Sequence, residues 1–272
     1  MQRIDPCHLL PLVLACALVA ACAGPSGQQS PAAPFEEPAE PAGTLPAETV
    51  AAETPALSAS QEPLARRNFE AFQEAIVASE VGSGGAAVAM EHVGRLSLAN
   101  AIEYGLNPDH RVLDIGAGSL RVGWWLINFV GPENFAAIEP VRKRIDTAAE
   151  IMGVEFVRTY NYDFEYPEGI YDFVFARSIW SHASKGMIAK MLSEFREHSN
   201  QDSKFLSSIV FAKQKKLDYL GDEWVGKVEK DDSMGVIMHL RSWLEAECEK
   251  FDLTMEVKDG LLNQTWVLIG RK

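Results

Sequence analysis

Five short apolar runs punctuate the chain between residues 111 and 211: 111–115, 135–139, 154–158, 171–176 and 204–211. Each is long enough for a strand, and helical stripes lie between them. Val141, Ile145, Ala148 and Met152 keep the i, i+4, i+7, i+11 spacing of one buried helix face. Pro140 stands where a helix start tolerates a missing N–H, and Gly153 stands where a helix stops. Met187, Met191, Leu192 and Phe195 form a second stripe, and Leu240, Leu244, Cys248 and Phe251 a third. Ahead of the first strand, Phe69, Phe72 and Ile76 predict an N-terminal helix with Arg66 and Arg67 on its solvated edge. Two further strands, 251–258 and 265–270, are joined by a short connection and predict an antiparallel edge pair. Strand alternating with helix, closed by such a pair, is an α/β doubly wound pattern.

The most informative segment is Arg111-Val112-Leu113-Asp114-Ile115-Gly116-Ala117-Gly118-Ser119-Leu120-Arg121-Val122-Gly123. An apolar strand turns through two glycines and opens into a helical pattern. Glycines there let backbone approach a ligand without Cβ interference, and a helix start offers free N–H groups. A dinucleotide loop would place a third glycine three residues after Gly118, where this chain has Arg121. No Gly-Lys-Ser/Thr follows, which removes the P-loop reading. Glu139 ends the second apolar run 21 residues after Gly118, the distance at which a carboxylate accepts ribose hydroxyls.

Asp-x-Gly-x-Gly at the end of a first strand resembles motif I of the class I S-adenosylmethionine (SAM)-dependent methyltransferases. The stretch Tyr171-Asp172-Phe173-Val174-Phe175-Ala176-Arg177-Ser178-Ile179-Trp180-Ser181-His182 resembles the fourth strand and following loop of small bacterial members. The resemblance spans roughly residues 95–272. It implies a Rossmann-like doubly wound sheet with a C-terminal antiparallel strand pair. It also implies cofactor contacts from Asp114, Gly116, Ala117, Gly118, Leu120, Glu139, Asp163, Phe164 and Arg177. Asp163 would meet the adenine amino group and Phe164 would pack on the ring; the alternative for Asp163 is an ordinary loop carboxylate. Val141 stands where relatives often carry Asn, which leaves one ligand hydrogen bond missing. The terminal strand pair and the absent third glycine argue against a nicotinamide-dependent oxidoreductase.

SAM would supply the activated methyl, so the protein has to position an acceptor and, where needed, remove its proton. His182 is the candidate general base, since imidazole titrates near neutral pH; the alternative is a histidine that caps or packs a helix start. Arg177 is placed to pair with Asp114 or to hold an anionic acceptor, and a solvated loop arginine is an equal alternative. Tyr219 and Trp224, in the polar stretch 213–232, are candidates for a lid over the acceptor. The expected acceptor is a small molecule or glycan-like group. The competing reading is a membrane-anchored binding domain that kept the fold and lost the chemistry.

Composition adds a second theme. The chain has 272 residues, 47% of them hydrophobic, and a net charge of −13. Residues 1–22 read as a lipoprotein-type signal segment, with an apolar run over 9–21 and a lipobox at Val19-Ala20-Ala21-Cys22. Thirteen apolar residues fall short of the roughly 20 that span a bilayer. Residues 23–64 are rich in Pro, Ala, Ser and Thr, hold six Glu and no Lys or Arg, and read as a disordered tether. Six of the thirteen excess negative charges lie there, which leaves −7 for the methyltransferase-like domain, 65–272. Nothing in this balance suggests nucleic-acid binding. The cysteine set offers no metal cluster, and processing at Cys22 would leave only Cys22, lipidated, and Cys248. The expected location is the bacterial envelope, membrane-anchored through lipidated Cys22. That conflicts with a cofactor made in the cytoplasm. The conflict lifts if translation begins downstream of Met1, if the anchored domain faces the cytoplasm, or if an exported domain uses another ligand.

Overall fold

A computed structural model describes residues 62–79, 90–225, 235–259 and 265–272. The lipobox, Cys22 and tether residues 23–61 lie outside the described residues. Two helices lead in: α1 (Glu62–Ala78), starting three residues before the boundary expected at 65, and α2 (Met90–Glu103). The alternating core follows as β1 (Val112–Ile115), α3 (Gly123–Val130), β2 (Phe135–Ile138), α4 (Arg142–Met152), β3 (Val157–Thr159), β4 (Phe173–Ala176), α5 (Lys185–Glu197) and β5 (Lys204–Ile209). It ends with α6 (Arg241–Lys250), β6 (Leu253–Asp259) and β7 (Thr265–Arg271). No helix among the described residues is long and apolar enough to cross a membrane.

The seven strands lie in the order β3-β2-β1-β4-β5-β7-β6. β1 to β5 are parallel, and β7 is antiparallel to both β5 and β6. The terminal pair therefore exists as expected, with β7 inserted and β6 at the edge. β1 and β4 are central neighbours, Asp114 opposite Phe175. The strand order reverses between them, and the crevice outside such a switch point is where doubly wound sheets hold ligands.

Period-two side-chain alternation divides the core between the sheet's two faces. Val112, Phe135, Ala137, Phe173, Phe175, Leu206 and Trp266 pack with α1, α2, α3 and α4. Leu113, Ile115, Ala136, Ile138, Val174, Ala176, Phe205, Val267 and Ile269 pack with α5 and α6. On the first face the stripe Phe69, Phe72, Ile76 is buried as its spacing requires. Phe72 stacks on Trp124 at 4.6 Å between centroids, and Phe69 lies 5.0 Å from Trp125. Full burial of such side chains contributes about 1.5–3 kcal/mol each, which fixes α1 over the start of α3.

Several element bounds differ from the sequence reading by one to three residues, and at three of them a local backbone contact takes over. α4 starts at Arg142, not Pro140, because the Val141 N–H donates to the Glu139 carboxylate and holds Val141 outside the helix. β3 starts at Val157, not 154. Gly153 caps α4 in the left-handed conformation and the Val154 N–H returns to Ala149 O, so the chain is still completing its helix there. β5 ends at Ile209, not 211, because Phe211 leaves the sheet to bridge His239.

Candidate active site

The β1–α3 loop takes its shape from groups on both sides. The N–H groups of Gly116 and Ala117 both donate to Ile138 O at the end of β2, at 2.8 and 3.2 Å. Gly116 has φ +74°, and a Cβ there would lie 2.1 Å from Ile179 Cδ1. Glycine is needed at 116 so that the β4–α5 loop can pack directly against the β1 loop. Gly118, φ +58°, is different: nothing lies within 4 Å of where its Cβ would be. Its bare face meets open space. Helix α3 begins at Gly123, five residues past Gly118, and not directly after the glycines. Leu120 holds φ +59°, donates its N–H to Ala117 O and is fully buried with Ala117 in the core. Any ligand contact from Ala117 or Leu120 is thus through backbone.

Glu139 joins this loop to the next. One carboxylate oxygen accepts from Gly118 N–H at 2.8 Å and the other from Val141 N–H at 2.9 Å. The Arg144 guanidinium stands 3.8 Å away. Each carboxylate oxygen offers two lone-pair directions, so capacity for hydroxyl donors remains.

Asp114 lies one residue inside the end of β1, buried, and its Oδ2 has no hydrogen-bond partner. Burial, with the nearby Glu139 charge second, pushes its carboxyl up to about 7. The ion pair with Arg177 expected as one alternative does not form. Arg177, just past β4, keeps Nε buried without a partner. Burial first, and the neighbouring Arg121 second, push its guanidinium down to about 10, still cationic at neutral pH. It is not the solvated loop arginine of the equal alternative. Burial lowers Arg121 as well. Arg121 was visible in the sequence only as the residue displacing a third glycine.

Asp163 and Phe164 sit beyond β3. Asp163 is exposed, and one oxygen receives the Glu165 N–H at 3.4 Å, a local turn contact that leaves most of the carboxylate open. Phe164 takes φ +60° and is buried against Trp224, centroids 6.3 Å apart. Trp224 reaches on to His182 at 5.8 Å. One of the two suggested lid aromatics therefore spans the β3 and β4 loops, whereas Tyr219 packs on His239 at 6.5 Å. His182 does not cap α5: Ser184 does, accepting from Met187 N–H. His182 Nδ1 lies 2.8 Å from Gly235 O, and a carbonyl only accepts, so Nδ1 carries the proton. The neutral ring then presents its lone pair at Nε2.

The β4 loop is held from β5. Ser178, φ +57°, donates its N–H to the Ser208 hydroxyl oxygen at 2.7 Å, and Ser207 Oγ donates to Ala176 O. These serines and Arg144 escaped sequence reasoning, because only strand register and helix packing bring them to the site. Among the described residues no group of His, Cys, Asp and Glu is placed to hold a metal ion. Cys248 is buried in α6, its thiol pushed up to about 12 by burial and by Glu247 and Glu245.

Asp114 makes the free protein pH-sensitive. Its folded-state value of about 7 exceeds the ordinary 3.8, so its carboxyl stays neutral on folding where the unfolded chain ionises. Stability is fully present below pH 4 and falls as pH rises towards 7. Asp114→Asn removes that cost, on the order of a few kcal/mol. Urea unfolding should show the variant more stable than the natural chain at pH 8, with the gain shrinking towards pH 4. Equal midpoints at pH 8 would show that Asp114 is compensated.

No protein-family model and no curated protein matches this chain. Solved structures do. DesVI of Streptomyces venezuelae superposes with a TM-score of 0.52 at 11% identity, covering 70% of this chain and 99% of that one. Magnesium protoporphyrin IX methyltransferase (ChlM) from Synechocystis PCC 6803, solved with bound SAM, gives 0.49 at 13% identity over 78% and 95%. The sugar N-methyltransferase KedS8 from Streptoalloteichus sp ATCC 53650 gives 0.48 at 13% over 70% and 89%. At these identities the likeness is one of architecture: this chain has the class I methyltransferase fold.

Proposed function

We propose that this chain is a SAM-dependent methyltransferase acting on a small-molecule or glycan-like acceptor. The observation that carries the reading is Asp114 Oδ2, a buried and unpartnered carboxylate oxygen near the end of β1, just ahead of a loop in which Gly118 leaves open space where a side chain would stand. A buried charge without a partner is costly unless a ligand completes it. The ligand that fits is cationic and bears hydroxyls, since Glu139 stands at the end of the neighbouring strand with acceptor capacity left over. SAM meets both demands. Asp114 faces its ammonium and sulfonium end, the Gly118 face admits its body, Glu139 takes the ribose hydroxyls, and Asp163 with Phe164 receives the adenine. Bound there, SAM supplies an activated methyl group. Phe164, Trp224 and His182 then border the side from which an acceptor approaches. His182, with Nδ1–H fixed on Gly235 O, holds Nε2 ready to take the acceptor's proton.

Calorimetric titration with SAM or its demethylated product should give micromolar-range binding, about −8 kcal/mol. Glu139→Ala should weaken it by roughly 1.5–3 kcal/mol, a charge-assisted hydrogen bond's contribution. Glu165→Ala, changing an exposed loop residue, should leave it unaltered. NADH binding without SAM binding sinks the reading, and equal affinities of the two variants remove Glu139 from the site.

His182→Ala should leave SAM affinity nearly intact while lowering turnover about 10²–10⁴-fold once an acceptor is in hand. Unchanged turnover would make the histidine structural. A collapse in SAM affinity would show that it holds the loop.

We also propose envelope anchoring through lipidated Cys22, on the lipobox alone. Fatty-acid labelling of the full chain should disappear in Cys22→Ser and persist in Cys16→Ser, which changes the poorer candidate lipobox Val13-Leu14-Ala15-Cys16. Label surviving without Cys22 would refute the anchor.

A further inference from the structure

Two desolvated guanidiniums, those of Arg121 and Arg177, have no anionic partner among the described residues. Arg121 follows the glycine loop of β1, Arg177 follows β4, and these strands are adjacent and parallel. The two side chains are close enough for the charge of Arg121 to act on Arg177. Arg177 Nε is buried without a hydrogen-bond partner, and among the described residues no carboxylate oxygen lies within 4.0 Å of either guanidinium. Every other half-buried arginine around the site has its anion: Arg144 reaches Glu139, and Arg158 reaches Asp146 at 2.8 Å. Two like charges side by side, desolvated and unpaired, cost stability with no internal return. Arginine forks match planar and tetrahedral oxyanions in a bidentate manner.

We propose that Arg121 and Arg177 form an oxyanion subsite that seats a carboxylate or phosphate of the methyl acceptor. The proposal rests on the methyltransferase reading, which places SAM in the adjoining crevice. Charge decides between the two molecules that could bring the oxyanion. The amino-acid end of SAM carries an ammonium beside its carboxylate, so it brings no net negative charge, and its sulfonium adds a positive one. Glu139 is already engaged by Arg144, and among the described residues Asp114 is the other buried carboxylate at these strand ends. A filled cofactor site thus still holds surplus positive charge beside β4, and an anionic acceptor neutralises it. The substrate class that follows is acidic: a uronic or amino acid, a sugar phosphate, or a comparable small acid.

Inorganic phosphate is the probe. Its binding to the full chain is followed by ³¹P line broadening and calorimetry at constant ionic strength, with and without saturating S-adenosylhomocysteine. The natural chain should bind one phosphate in both conditions. Arg121→Gln and Arg177→Gln should each weaken it at least tenfold, and by the same factor with and without S-adenosylhomocysteine. Neither variant should unfold at lower temperature than the natural chain, because each loses an unpaired buried charge; Arg177→Lys, which keeps the charge without the fork, should fall between them in phosphate affinity. No phosphate binding, or binding indifferent to both arginines, overturns the subsite. Phosphate excluded by S-adenosylhomocysteine, with cofactor affinity lost tenfold in the variants, overturns it in favour of the cofactor's own carboxylate. Arginine-dependent phosphate binding with no S-adenosylhomocysteine binding at all supports the oxyanion site and defeats the methyltransferase reading.

Discussion

The Glu139 carboxylate is the fastening on which the crevice depends. Its two oxygens take the amides of Gly118 and Val141, so one side chain closes the β1–α3 loop and sets where α4 begins. Without it the Gly118 amide would face the crevice unheld, and Val141 would be free to join the helix that Pro140 is suited to start. Charge-assisted bonds of this kind are stronger than neutral ones and keep their geometry. Ile138 O reinforces the join by accepting two amides from the same glycine loop. Because Gly116 lies flat against Ile179, the fastening extends to the β4 loop and through it to His182.

Against this well-bonded frame, three charged groups without an ion-pair partner among the described residues gather in one place. Asp114, Arg121 and Arg177 all lie where β1 and β4 end, on or beside the strands at which the sheet order reverses. Elsewhere among the described residues the well-buried carboxylates have cationic partners, as Asp218 with Lys185 at 2.6 Å and Glu194 with Lys190 at 2.7 Å. The backbone carries its own strain nearby: Leu120, Phe164 and Ser178, all non-glycine, hold left-handed conformations within the loops that line the crevice. Such strain costs of order 1–3 kcal/mol each and persists only where the surroundings over-determine it. Here they do so through the buried Leu120 side chain, the Phe164–Trp224 contact and the Ser208 hydroxyl on Ser178.

Aromatic packing gives that frame its rigidity from outside. Phe69 and Phe72 of α1 cover Trp124 and Trp125 at the start of α3, directly behind the glycine loop. Phe175 and Trp266, centroids 5.7 Å apart, do the same from β4 and β7. The loops that border the crevice are therefore mounted on elements that have little freedom to shift.

The order of strands and helices, the terminal strand pair and the positions of Asp114, Gly116, Gly118 and Glu139 at strand ends were legible in the chain itself. Each depends on local properties: an apolar run of strand length, a 3.6-residue stripe, a glycine where backbone must turn. Sequence alone placed α4 and β3 wrongly by two or three residues, because a carboxylate and a helix cap compete with propensity at those ends. It also allowed Asp114 and Arg177 to be partners. Tertiary structure decided otherwise, by burying Arg177 beside Arg121 and leaving Asp114 unpaired. Charge partners, strand register and the approach of Trp224 to Phe164 and His182 depend on residues far apart in the chain, and no spacing rule encodes a distance across a sheet.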